Sequence, residues 1–189
     1  MIYLDTRVDE KDLAAALEQV GDWRREVALR YVKDDDRRLS LSVYMLLRSA
    51  LEREYGITVQ PEFDYGPHGK PFLRDYPHIH FNLSHCRGAA LCVVGDAPVG
   101  CDIERVEAKV DMEVCRYCCN ENEVEAILGS DNPQLAFFTL WTRKEAFLKY
   151  TGEGLTNNLP GLLLTPEALS VRFETYTAED GALVYTICR

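Results

Sequence analysis

The sequence predicts an α+β chain of two small subdomains, and three observations carry that prediction. Helical and alternating apolar patterns both occur in each half, with a division near residue 97. The length of 189 residues, 47% of them hydrophobic, suffices for two modest cores and is too apolar for a disordered chain. No apolar run approaches the ~18 residues that a membrane-spanning helix needs. The expected subdomains are residues 1–97 and 98–189.

Residues 2–5 read as a short strand, and 10–32 as one or two helices ending near Tyr31. Asp34, Asp35 and Asp36 offer caps for a helix of about 38–55, in which Leu39, Val43, Leu46, Leu47 and Ala50 recur at helical spacing and Gly56 ends the run. The segment 66–71, GPHGKP, is turn chemistry enclosing a lysine. Three strand-like runs follow, His78–Leu83, Ala89–Val94 and Pro98–Glu104, separated by turns at Arg87-Gly88 and Asp96-Ala97. The second half then turns helical. A helix is expected over 110–118, another over 121–128 with Asn120 and Glu123 as a capping pair, and a long one from Asn132-Pro133 to about 150. Strands near 168–174 and 182–188 close the chain.

Charge narrows the function classes. The formal net charge is −10, divided as −3 over residues 1–97 and −7 over 98–189, so a broad nucleic-acid surface is not expected. The opening MIYLDTRVDEKD lacks the order of a secretory signal, which points to a cytoplasmic protein with no membrane association. The odd count of seven cysteines then argues for reduced thiols. Cys115, Cys118 and Cys119 have C-x-x-C spacing but no obvious fourth ligand, so they are read as core thiols.

Chemistry gathers in a few places. In Val99-Gly100-Cys101-Asp102-Ile103-Glu104, strand alternation puts Asp102 and Glu104 on one face, where their repulsion invites a hard cation. On the long helix, Glu145 shares a face with Trp141 and Leu148, where an acid needs a cation or a proton, and Lys149 follows one turn later. Lys70 in its turn, Ser84-His85 at a strand end and Arg37-Arg38 at a helix start suit phosphate oxygens. Arg37 and Arg38 could equally pair with Asp34–Asp36, and Glu123 reads first as a helix cap. Together the carboxylates and cations suggest a pyrophosphate-containing substrate bridging two halves.

The ordered set Gly69-Lys70-Pro71, Phe81-Asn82-Leu83-Ser84-His85, Gly100-Cys101-Asp102-Ile103-Glu104 and Trp141-Thr142-Arg143-Lys144-Glu145-Ala146-Phe147-Leu148-Lys149, followed by Gly152-Glu153-Gly154-Leu155, resembles the 4′-phosphopantetheinyl transferase superfamily in its surfactin-synthetase-activating branch. The resemblance implies a monomer with a pseudo-two-fold pair of similar α+β subdomains and the active site at their interface. It implies transfer of phosphopantetheine from coenzyme A to a serine of an apo acyl, polyketide or peptidyl carrier protein, with release of adenosine 3′,5′-bisphosphate. By the same analogy Asp102, Glu104 and Glu145 hold Mg²⁺, and Lys149 meets phosphate oxygens. Lys70, Ser84, His85 and either Arg37 or Arg38 hold the rest of coenzyme A, and Glu123 aligns with a family acid near the site. A carboxylate, Glu145 or Glu123, or a metal-bound water takes the serine proton. Two other readings use the same residues: a non-catalytic coenzyme A-binding homologue, and a Mg²⁺-dependent hydrolase of coenzyme A-like diphosphates.

Overall fold

The computed structural model describes residues 1–107, 109–154, 156, 158–178 and 180–189. Leu155, the last residue of the Gly152-Glu153-Gly154-Leu155 run, lies outside them. In the first half the elements run β1 (Ile2–Asp5), α1 (Leu13–Glu18), α2 (Asp22–Leu29), α3 (Asp34–Tyr55), β2 (Phe63–Tyr65), β3 (Pro71–Leu73), β4 (His80–Cys86) and β5 (Ala89–Gly95). The second half contributes β6 (Gly100–Arg105), α4 (Met112–Cys118), α5 (Glu121–Leu128), α6 (Pro133–Thr151), α7 (Pro166–Ser170), β7 (Phe173–Thr177) and β8 (Leu183–Cys188).

Both halves repeat one connection. A strand leads to a long helix and then to a hairpin, whose second strand inserts between the first strand and its own partner. The sheet orders are β1-β5-β4 and β6-β8-β7, with every pairing antiparallel. This bears out the expected α+β pair of similar subdomains. In the first half Leu47, Ala50 and Leu51 of α3 are buried with Phe81, Cys92 and Val94 of the sheet. In the second, Phe147 and Leu148 of α6 are buried with Cys115, Cys118, Cys119 and Ile127. All seven cysteines are free thiols, and burial pushes those at 101, 119 and 188 up to about 12.

The halves meet by unlike edges, β4 against β6, and share a core of Leu91, Val93, Val99, Cys101, Ile103 and Ile187. Two side chains of β4 pin the seam. Asn82 Oδ1 accepts from the Cys101 amide at 2.8 Å and Ser84 Oγ from the Ile103 amide at 3.3 Å. On its other side β6 lies directly on α6. A Cβ at Gly100 would stand 2.0 Å from the Ala146 carbonyl oxygen and 2.4 Å from the Tyr150 nitrogen, so no larger residue allows this approach.

Three boundary expectations are corrected. Asp34, Asp35 and Asp36 form the first turn of α3 instead of capping it, where their charge complements the helix dipole. The 10–32 segment holds two helices, within what was expected of it: α1, capped by Asp12 on the Ala14 amide at 2.8 Å, and α2. Strand β4 starts at His80, because Tyr76 and Ile79 close a turn across His78. The 168–174 run is not one strand. Thr165 Oγ1 caps Ala168 with Pro166 in the first helical position, which makes α7, and β7 begins only at Phe173. The 66–70 turn joins β2 and β3 into a hairpin that the short strands did not signal. Among the described residues no helix is long and apolar enough to cross a membrane.

Candidate active site

Where β4, β6 and α6 converge, a cavity of about 350 Å³ is lined by Leu83, Ser84, His85, Asp102, Glu104, Trp141, Glu145 and Lys149. Strand alternation sends Asp102 and Glu104 to it while Cys101 and Ile103 enter the shared core. Helical spacing sends Trp141, Glu145 and Lys149 to it, since residues four apart share a face. The site therefore needs both halves: Ser84 and His85 come from the first, the acids and Lys149 from the second.

Asp102 is the centre. It is 4% exposed, and its Oδ1 accepts from Ser84 Oγ at 2.8 Å and from Lys149 Nζ at 2.6 Å. Ser84 Oγ in turn accepts from Lys149 Nζ at 2.9 Å. The second oxygen, Oδ2, is buried with no hydrogen-bond partner among the described residues. A buried carboxylate oxygen left without a donor is costly, and a cation is the natural partner for it.

The neighbouring acids feel the same imbalance. Burial, then the charge of Asp102, push the Glu104 carboxyl up to about 7, although Trp141 Nε1 donates to its Oε1 at 3.3 Å. Burial and Asp102 also raise the Glu145 carboxyl. For Lys149, burial opposes the charge, but the nearby Asp102 carboxylate outweighs it and the ammonium is held above its usual range. His85, at the exposed rim, is pushed down by lost hydration and by the Lys149 charge. Among the described residues no group of three His, Cys, Asp or Glu side chains closes tightly enough to cage a metal by itself. A hard cation here would draw the rest of its shell from water or a bound ligand's oxygens.

A second cavity, of about 330 Å³, shares Leu83, Glu145 and Lys149 with the first and extends past His68, Gly69, Lys70 and Pro71. Lys70 crosses the seam here. Its stem lies over Gly152, and its Nζ donates to Val99 O at 3.2 Å and to Tyr150 O at 3.0 Å, at the C-terminal end of α6. Burial lowers its pKa.

Three of the expected residues do not line these cavities and take the local partners that their other readings gave them. Arg37 donates to Asp34 at 2.8 Å and to the Tyr31 carbonyl; Arg38 donates to Asp35 at 2.9 Å and to the Lys11 carbonyl. Each guanidinium is held by an acid three residues earlier on its own helix. Glu123 completes a capping box with Asn120 and also accepts from Lys144 Nζ at 2.7 Å, so its carboxylate is engaged away from the Asp102 cluster. Sequence reasoning missed Lys144, which is fully buried, and Asn82, which pins the seam. The signal available for Lys144 was its place in a helix with apolar residues on almost every face.

Residues 98–183 match the family model described as the 4′-phosphopantetheinyl transferase superfamily, and residues 7–97 match that of 4′-phosphopantetheinyl transferase, N-terminal. The two matches meet at the division between the halves. The chain is 32% identical over 159 residues to 4′-phosphopantetheinyl transferase psf-1 of Bacillus pumilus, covering 80% of this chain and 68% of that protein. It is 28% identical over 158 residues to 4′-phosphopantetheinyl transferase Sfp of Bacillus subtilis (strain 168), covering 82% of this chain and 70% of that protein. With 4′-phosphopantetheinyl transferase HetI of a Nostoc species it shares 35% identity over 153 residues, 77% of this chain and 63% of that protein. The chain belongs to the 4′-phosphopantetheinyl transferase superfamily, in its Sfp-type branch, and is a transferase.

Proposed function

We propose that this protein transfers phosphopantetheine from coenzyme A to a serine of an apo acyl or peptidyl carrier protein, with Mg²⁺ as cofactor. The observation that carries the reading is the Asp102 carboxylate, held by Ser84 and Lys149 on one oxygen and open on the other, in a cleft that both halves complete. One chain supplies both walls, which supports a monomer as the working unit. A cytoplasmic site of action fits the seven free thiols.

Asp102, Glu104 and Glu145 would hold the Mg²⁺. When bound, the ion supplies positive charge to the pyrophosphate oxygens as the bond to the leaving group breaks. Lys149 reaches the same oxygens with an ammonium that Asp102 keeps protonated. His85 and Ser84 line the wall opposite α6 and would orient the substrate. The adjoining cavity past Lys70 would take a further part of coenzyme A. In the reaction the carrier serine oxygen forms a bond to the phosphorus that bears pantetheine. The pyrophosphate P–O bond breaks, and adenosine 3′,5′-bisphosphate leaves. Of the carboxylates considered for taking the serine proton, Glu145 lines the cavity whereas Glu123 is engaged by Lys144 outside it, which favours Glu145.

The test is the intact mass of an apo acyl carrier protein after incubation with this protein, coenzyme A and Mg²⁺. The expected result is a gain of one phosphopantetheine that requires the metal and is abolished by Asp102→Ala, with circular dichroism unchanged. Full transfer by that variant would overturn the metal assignment. Coenzyme A consumed without carrier modification would replace this reading with hydrolysis, and no reaction with several carriers would leave a coenzyme A-binding protein.

A further inference from the structure

Lys144 and Glu145 are neighbours in the chain but stand about 100° apart around α6 and meet different surroundings. Glu145 opens into the cleft, whereas Lys144 is 0% exposed among α4, α5 and the loop after α6. A buried ammonium costs several kcal/mol unless every proton is used. Here every proton is used: Lys144 Nζ donates to Cys118 O at 2.6 Å, Glu123 Oε2 at 2.7 Å and Leu159 O at 2.9 Å. Each acceptor belongs to a different segment, namely the end of α4, the first turn of α5 and the loop after α6. Glu123 is itself fixed, because its Oε2 also accepts from the Asn120 amide at 2.9 Å, and Asn120 Nδ2 donates to Pro160 O at 3.0 Å. One side chain thus gathers three segments behind the helix that carries Trp141, Glu145 and Lys149.

The opposite side of α6 has no slack either. Gly100 brings β6 against its backbone, and Thr142 Oγ1 lies 2.9 Å from Thr186 Oγ1 on β8. Sliding or rotation of α6 by an ångström would separate Lys149 from Asp102, whose contact is 2.6 Å. We propose that the Lys144–Glu123 pair is a positioning device for the transfer reaction: it fixes the rotation and axial setting of α6, and so the geometry of Glu145 and Lys149 against Asp102. The proposal rests on the transferase reading above for its kinetic consequence, while its geometric consequence stands alone. It gives Glu123 an indirect role through Lys144 in place of proton transfer.

The test uses the whole protein. Lys144→Met keeps the stem but strands the Glu123 carboxylate, and Glu123→Gln keeps size and the cap acceptor while removing the charge. The double variant, Lys144→Met with Glu123→Gln, leaves no unpaired charge. Lost positioning lowers kcat on the order of tenfold or more, with the KM for carrier protein changed by less than about twofold. The double variant is expected to recover much of the melting temperature that Lys144→Met loses, but not kcat. If activity instead returned with stability, the pair would be only structural. If Lys144→Met fails to fold, Glu123→Gln and the double variant carry the same comparison.

A spectroscopic reading is independent of transfer. Trp141 donates to Glu104 across the α6–β6 contact, and the other tryptophan, Trp23, is half exposed elsewhere. In a Trp23→Phe background, a shifted emission maximum or changed quenching of Trp141 in the folded double variant is expected. An unchanged Trp141 spectrum would overturn the proposal even if the protein proved not to be a carrier-modifying enzyme. A wild type that fails to modify any carrier, with the Trp141 shift present, would overturn only the transferase reading.

Discussion

Glu104→Gln should make the metal-free protein more stable above neutral pH and leave it unchanged in acid. In the folded protein burial and the neighbouring Asp102 raise the Glu104 carboxyl from 4.5 to about 7. Between about pH 4.5 and 7 the unfolded chain has released this proton while the folded protein keeps it, so stability falls as pH rises through that window. Above about 7 the cost is complete. Fully expressed, such a displacement corresponds to roughly 3 kcal/mol, and solvent at the cleft mouth reduces it to on the order of 1–2 kcal/mol. The glutamine keeps the oxygen that accepts from Trp141 and removes the charge facing Asp102. At pH 8 in a chelator the variant should therefore melt about 2–8 °C above wild type, and at pH 4 the two should coincide. Thermal melts followed by circular dichroism at both pH values decide it. A variant no more stable than wild type at pH 8, or one equally stabilised at both pH values, would refute the electrostatic account of the cleft.

The remaining predictions concern the packing of β6 on α6 and the seam beside it. Gly100→Ala must force β6 away from α6, since the new methyl meets backbone rather than a movable side chain; a loss of about 3 kcal/mol or more in denaturant unfolding is expected, and a loss below about 0.5 kcal/mol would contradict the close approach. Lys70→Met leaves the carbonyls of Val99 and Tyr150 without their donor, so the unfolding free energy should fall by about 1–2 kcal/mol. Calorimetry on the same variant should show weaker coenzyme A binding, with the chemistry of the bound complex less affected, and unchanged affinity would remove Lys70 from the substrate cavity.

Much of the cleft was legible because strand and helix periods act locally. Two-residue alternation is enough to put Asp102 and Glu104 together, and four-residue spacing enough to add Glu145 and Lys149. What periodicity does not carry is competition for the same group. Arg37 and Arg38 suit a phosphate by position, but an aspartate three residues earlier reaches each of them first. Glu123 could be read as a cap or as an active-site acid; it is a cap, and its second partner, Lys144, is 21 residues away in sequence. The rotation of α6 was only half legible. Phe137, Phe147 and Leu148 are buried against one core while Thr142, Ala146 and Lys144 are also buried, so no single apolar stripe marks the face that looks inward. The Thr165-Pro166 cap of α7 lies just before the run near 168–174 that reads as a strand, outside the window in which alternation is counted.

Ser84 takes part in two different structures at once. Its hydroxyl accepts from the Ile103 amide, which fastens one half to the other, and donates to Asp102, which organises the cleft. A substitution here cannot loosen the joint while sparing the chemistry, or retune the chemistry while sparing the joint. The strength of the joint and the geometry of the cleft are coupled through one oxygen atom, so any change at residue 84 registers in both.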